Sequence, residues 1–182
     1  FEQIPGRTLE RMWPNMSESQ RETVVRTLAG YVNELLQTRF SSIGSLYASD
    51  DGTDVGPMIP ICNPWCFRTD ATLDSGPWAT EKEYLLGCIE REVQWISGHP
   101  EDLYSTWSCD SNSDLVEQYK TLFKKLSTRI ETMDYLLPGS GPFVLRHPDF
   151  NPSNIMVEEH DPSVITAVID WECANTAPSW AV

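Results

Sequence analysis

Two short stretches hold the side chains whose types and spacing could do chemistry: His147-Pro148-Asp149-Phe150-Asn151-Pro152-Ser153-Asn154 and, further on, Asp170-Trp171-Glu172. A carboxylate can orient a hydroxyl and accept its proton. Oxygen ligands from a carboxylate and an amide suit Mg2+, which keeps several waters and leans on nucleotide phosphates for the rest of its shell. Phosphoryl transfer asks for little more, because its catalysis is mostly positioning and charge neutralisation. Asp149 is therefore expected to orient the nucleophile, and Asn154 and Asp170 to bind metal. Asp and Asn are also ordinary turn formers. Context separates the two readings, since Ile155-Met156-Val157 follows Asn154 directly and a second apolar stretch, Val164–Ile169, ends at Asp170. A hydrolase built on Asp149 and Glu172 as paired carboxylates lacks a positioned nucleophile or a metal-bridging His.

These groups need elements to hold them. Phe143-Val144-Leu145, Ile155-Met156-Val157 and Val164–Ile169 read as short buried strands. Upstream, Ser19-Gln20-Arg21-Glu22 is expected to cap a helix running to about Thr38, with Val24, Val25, Leu28, Val32, Leu35 and Leu36 on its buried face. Asp50-Asp51-Gly52 marks a turn between extended pieces at Ile43–Tyr47 and Met58–Cys62, a candidate hairpin. Thr80-Glu81-Lys82-Glu83 caps a second helix that Gly98-His99-Pro100 closes. A third runs from Leu115 to Leu137 and ends at Pro138-Gly139.

The 182 residues carry 27 acidic and 13 basic side chains, a formal net charge of −14. That excludes a phosphate-tracking surface, so nucleic acid is not an expected partner. No apolar run approaches the length of a membrane span. Five scattered cysteines suit reduced thiols and a cytoplasmic location, and the spacing Cys62-Asn-Pro-Trp-Cys66 fits zinc poorly.

The stretch Leu145–Val157, with Ala167-Val168-Ile169-Asp170-Trp171-Glu172, resembles the catalytic loop and metal-binding segment of the aminoglycoside phosphotransferase and choline kinase family. The wording Arg146-His147-Pro148-Asp149, and Gly76-Pro77-Trp78 ahead of the helix with Glu83-Tyr84-Leu85-Leu86, is similar to a fungal branch of it. The resemblance implies an α+β, mostly helical fold: a protein-kinase-like C-terminal lobe whose short β hairpins carry the catalytic and metal-binding loops. It implies an ATP- or GTP-dependent, Mg2+-requiring transfer to a small-molecule hydroxyl, a cationic one suiting the acidic surface. His147 would brace the loop in a supporting role. Asn151 falls where kinases place a phosphate-contacting Lys, and Trp171 would pack beneath the metal Asp.

Phe1-Glu2-Gln3-Ile4-Pro5-Gly6 resembles the linker joining the family's two lobes, with Phe1, Glu2 and Gln3 on the adenine side. The implied organisation is an interlobe linker at 1–7, a helical lobe at 17–137 and a catalytic and metal-binding segment at 143–173, without the N-terminal lobe. No Gly-rich phosphate loop, strand Lys or partnering helix Glu can be placed. A truncated lobe of this kind is expected to be inactive alone and to self-associate through exposed apolar surface. The rival expectation is a non-catalytic remnant serving as a binding or scaffold module, against which stands the presence of Asp149, Asn154 and Asp170 together.

Overall fold

The computed structural model describes residues 4–50, 52–59, 74–99, 113–133 and 142–182. In chain order these form β1 (Arg7–Thr8), α1 (Leu9–Met12), α2 (Glu18–Gln37), β2 (Arg39–Phe40), β3 (Gly44–Ser49), β4 (Gly52–Gly56), α3 (Glu81–Gly98), α4 (Ser113–Glu131), β5 (Phe143–Arg146), β6 (Ile155–Val157), β7 (Ile165–Val168) and β8 (Asn175–Ala177), with 3-10 turns at Trp13–Asn15, Pro152–Asn154 and Ser179–Ala181. The described residues are thus mixed α+β. They divide into two compact units, Phe1–Phe40 with Phe143–Val182, and Ser41–Pro142.

In the first unit β6 lies between β1 and β7, and β5 between β2 and β8, all antiparallel. The loop from His147 to Asn154 therefore joins two strands that are each paired on both edges, which fixes both its ends. Alternation places Ile155 and Val157 inward, where they meet Leu9, Met16 and Val24, with Phe150 and Ile165 packed alongside. Val157 opposes Ile165 across an irregularity in the β6–β7 ladder, leaving Thr166 exposed. β1 docks because Gly6 has φ +117° and lies so near Val157 that a Cβ would collide with its carbonyl oxygen.

The capping box of α2 is Ser17 with Gln20, two residues ahead of the sequence expectation at Ser19. The Ser17 Oγ accepts from the Gln20 N–H at 3.3 Å, and the Gln20 Oε1 accepts from the Ser17 N–H at 3.0 Å. Met16 explains the shift: buried in the core, it fixes the chain's entry and makes Ser17 the last extended residue. The buried face of α2 is also narrower than its spacing suggests, since Val24 is fully buried and Val25 is 54% exposed.

In the second unit β3 pairs with β4, with Ser49 opposite Gly52. A hairpin forms at the expected turn, but its return strand is Gly52–Gly56 and not the expected piece at 58–62, of which 60–62 lie outside the described residues. Thr80 and Glu83 form their capping box at the head of α3 as expected. Trp78 is buried against this helix, edge-on to Tyr84, its indole N–H donating to Asp74 at 2.9 Å. A Cβ on Gly87 would press on that indole nitrogen. α4 packs against α3, and the Lys82 ammonium donates to the Glu131 carbonyl at 2.9 Å. The expected end of this helix at Pro138-Gly139, and the Cys62–Cys66 pair, lie outside the described residues.

Candidate active site

The residues of the 147–154 loop are held together through His147, which is 5% exposed. Its Nε2 lies 2.9 Å from the Ile169 carbonyl and its Nδ1 3.2 Å from the Asp149 backbone N–H. A carbonyl can only accept and a backbone N–H can only donate, so these partners assign the neutral tautomer with Nε2 protonated. The ring is held edge-on by Phe150 and Trp171, with centroids at 5.9 and 4.6 Å. Such contacts make His147 a brace between the loop and the end of β7, with a partner on each ring nitrogen.

Asp149 is exposed, yet both of its carboxylate oxygens are held. Asn151 Nδ2 donates to Oδ1 at 2.6 Å, and Asn154 Nδ2 donates to Oδ2 at 2.8 Å and to the Asp149 carbonyl at 2.9 Å. The two acceptors on one side of Asn154 fix its amide orientation, so its Oδ1 faces away from Asp149. Asn151 is fixed in turn, because its own Oδ1 accepts from the Ser153 N–H at 2.9 Å and from the Ser153 hydroxyl at 2.5 Å. The sequence placed Asn151 where a phosphate contact could be made, and the structure turns it onto the carboxylate instead. The signal was readable only as Asn-Pro-Ser, an N-cap pattern opening the 3-10 turn at Pro152–Asn154.

Asp170 is brought beside this group by its neighbour. The Ile169 N–H donates to the Asn154 carbonyl at 2.9 Å, while the Ile169 carbonyl accepts from His147. Asp170 itself has φ +68°, a left-handed conformation that Asp tolerates better than most side chains but still at some cost. Backbone held there by hydrogen bonds on its preceding residue is the kind of local strain found at functional sites. Trp171 follows, its indole N–H donating to the Val168 carbonyl at 2.9 Å while the ring packs on His147. Glu172 is exposed. The Asp170 carboxylate and the Asn154 amide oxygen are hard oxygen donors, a type that suits Mg2+ held jointly with nucleotide phosphates. Among the described residues no three His, Cys, Asp or Glu side chains gather into a cage that would hold a metal unaided.

Of the expected linker, Phe1, Glu2 and Gln3 lie outside the described residues. The rest runs along the strands that carry the site: Pro5 accepts from the Thr166 hydroxyl at 3.4 Å, and Arg7 forms an exposed ion pair with Glu159 at 3.0 Å. Among the described residues no helix is long and apolar enough to cross a membrane.

The sequence model of the phosphotransferase enzyme family matches residues 1–181. The chain is also similar to altered inheritance of mitochondria protein 9, mitochondrial, of Lachancea thermotolerans, at 26% identity over 97% of this chain, and it spans 35% of that protein's length. No solved structure matches the chain.

Proposed function

The chain belongs to the phosphotransferase enzyme family, and we propose that it carries the catalytic and metal-binding segment of an ATP-dependent kinase acting on a small-molecule hydroxyl. The observation that supports this most is one set of hydrogen bonds that joins the backbone of the loop carrying Asp149 and Asn154 to Ile169, the residue before Asp170. His147 and Ile169 tie the Asp149 backbone, the Asn154 carbonyl and the approach to Asp170 into one unit.

In this reading the exposed Asp149 carboxylate orients the acceptor hydroxyl and takes its proton as the new oxygen–phosphorus bond forms and the bond from the γ-phosphorus to the β–γ bridging oxygen of ATP breaks, ADP leaving. Both of its oxygens retain acceptor capacity beyond the amide donors already on them. His147 holds the loop. Asn154, through Oδ1, and Asp170 hold Mg2+, which when bound with nucleotide neutralises charge on the transferring phosphoryl group. Residues 1–7 serve as the linker along the nucleotide side, a kinase-like fold supplies the frame, and the acidic balance suits a cationic acceptor. Calorimetry tests the metal part. Mg2+ alone should bind weakly, bind more tightly with ATP present, and lose that gain in Asp170→Ala. Tight Mg2+ binding without nucleotide, or an unchanged Asp170→Ala, would overturn the assignment.

A further inference from the structure

The geometry points to Asn151 as a positioning residue for Asp149, a role that rests on the phosphotransferase reading above and adds to it. Three observations carry it. The Asn151 Nδ2 donates to Asp149 Oδ1 at 2.6 Å, a charge-assisted contact at the short end of the range. Asn154 holds the other oxygen, Oδ2, at 2.8 Å, so the two amides meet the carboxylate from different sides and hold its plane against rotation about χ2. Asn151 cannot swing away cheaply, because its Oδ1 accepts both the N–H and the hydroxyl of Ser153.

The carboxylate is exposed. Without Asn151 a single amide would remain, on one oxygen, and the carboxylate could turn about that contact. A general base must meet its hydroxyl within hydrogen-bond reach and in line with the phosphoryl group, so a loosened carboxylate costs turnover more than nucleotide binding. Asn154 is committed to the carbonyl and carboxylate of Asp149 through its amide and to metal through its oxygen, and so cannot take over the task. The chain Ser153 to Asn151 to Asp149 is then a support built from one turn of loop, with Pro152 fixing the backbone between its members.

Asn151→Asp is the discriminating variant. It keeps the oxygen that accepts from Ser153, so the 3-10 turn stays capped, and exchanges the donor to Asp149 for a carboxylate oxygen that repels it, whereas Asn151→Ala removes the donor without adding charge. In the full-length protein, Mg2+-dependent ATP hydrolysis, with water as the acceptor, should show kcat lower by about 10- to 100-fold and the KM for ATP within about threefold of wild type. Asn151→Ala should lose the same turnover and also melt earlier, having lost the cap. Asp149→Asn, measured alongside, separates the two layers. If Asp149→Asn abolishes turnover while Asn151→Asp retains it, the positioning role fails and the kinase reading stands; if Asp149→Asn is fully active, the kinase reading itself fails. A readout independent of turnover comes from the side-chain amide signals in 15N-1H NMR. Asp149→Ala should shift the Asn151 and Asn154 amide pairs together, and an Asn151 pair that does not move overturns the proposal whether or not hydrolysis is measurable.

Discussion

Replacing His147 with Ala removes the brace of the site, and its cost can be worked from the contacts. The ring is 5% exposed and makes two hydrogen bonds, to the Asp149 N–H and the Ile169 carbonyl. Each is worth about 1 kcal/mol net, and a buried backbone group left without its partner costs about 1–3 kcal/mol. The edge-on pairs with Phe150 and Trp171 add about 0.5–1.5 kcal/mol each. Since these terms are not additive, the expected loss is about 3–5 kcal/mol, near the upper end for a single substitution. Urea unfolding at constant m reads the loss as a shift in midpoint. Hydrogen exchange then locates it. Protection of the Asp149 N–H should vanish in His147→Ala and His147→Gln, whereas His147→Asn, whose side-chain oxygen can stand near the Nδ1 position, should retain part of it. A cost under about 1 kcal/mol, or an Asp149 N–H equally protected in His147→Ala, would refute the bracing argument.

Two further outcomes follow from local structure. The Asp74 carboxylate is held below its ordinary value of 3.8 by the Gly76 N–H and the Trp78 indole, and by the Arg91 charge. A lowered folded-state pKa stabilises above the unfolded value and is lost as pH falls through the folded one, so the advantage of wild type over Asp74→Asn should be greatest at neutral pH, and small because the carboxylate is exposed to solvent. That difference should close below the ordinary carboxylate range in pH-dependent urea titrations, and a gap that persists at pH 2 would contradict the assignment. Gly6→Ala should destabilise by about 1–3 kcal/mol, because φ +117° and the Val157 carbonyl both exclude a Cβ, and a neutral result in thermal melts would show that β1 does not depend on this close approach.

The candidate site can be named from residue types, because phosphoryl transfer needs few of them and needs them at strand ends. Asp149, Asn154 and Asp170 follow from the sequence in that way, and the supporting role of His147 follows from the family resemblance. What remained hidden was the hydrogen bonding that spacing does not encode. Asn151 has a side chain equally suited to a phosphate, a cap or a carboxylate, and only the 3-10 turn that follows it selects the last two. The left-handed φ of Asp170 was hidden for a similar reason, since Asp adopts that conformation without a sequence mark such as Gly. Among the elements, the α3 cap is legible as a motif, whereas the expected α2 box at Ser19–Glu22 gives way to Ser17 with Gln20, because the burial of Met16 fixes where the chain enters the helix. The hairpin's return strand, Gly52–Gly56, carries two glycines and one apolar residue. It has almost no β pattern of its own and forms because a tight turn feeds it onto β3.

The most direct test of the account is the turnover of Asp149→Asn in the full-length protein, with Mg2+ and ATP and a panel of amino alcohols, sugars and aminoglycosides as acceptors. The substitution keeps the shape of the carboxylate and removes its ability to take a proton, so kcat should fall by about 10² or more while the KM for ATP changes little. Full retention of kcat in Asp149→Asn would contradict the account at its centre.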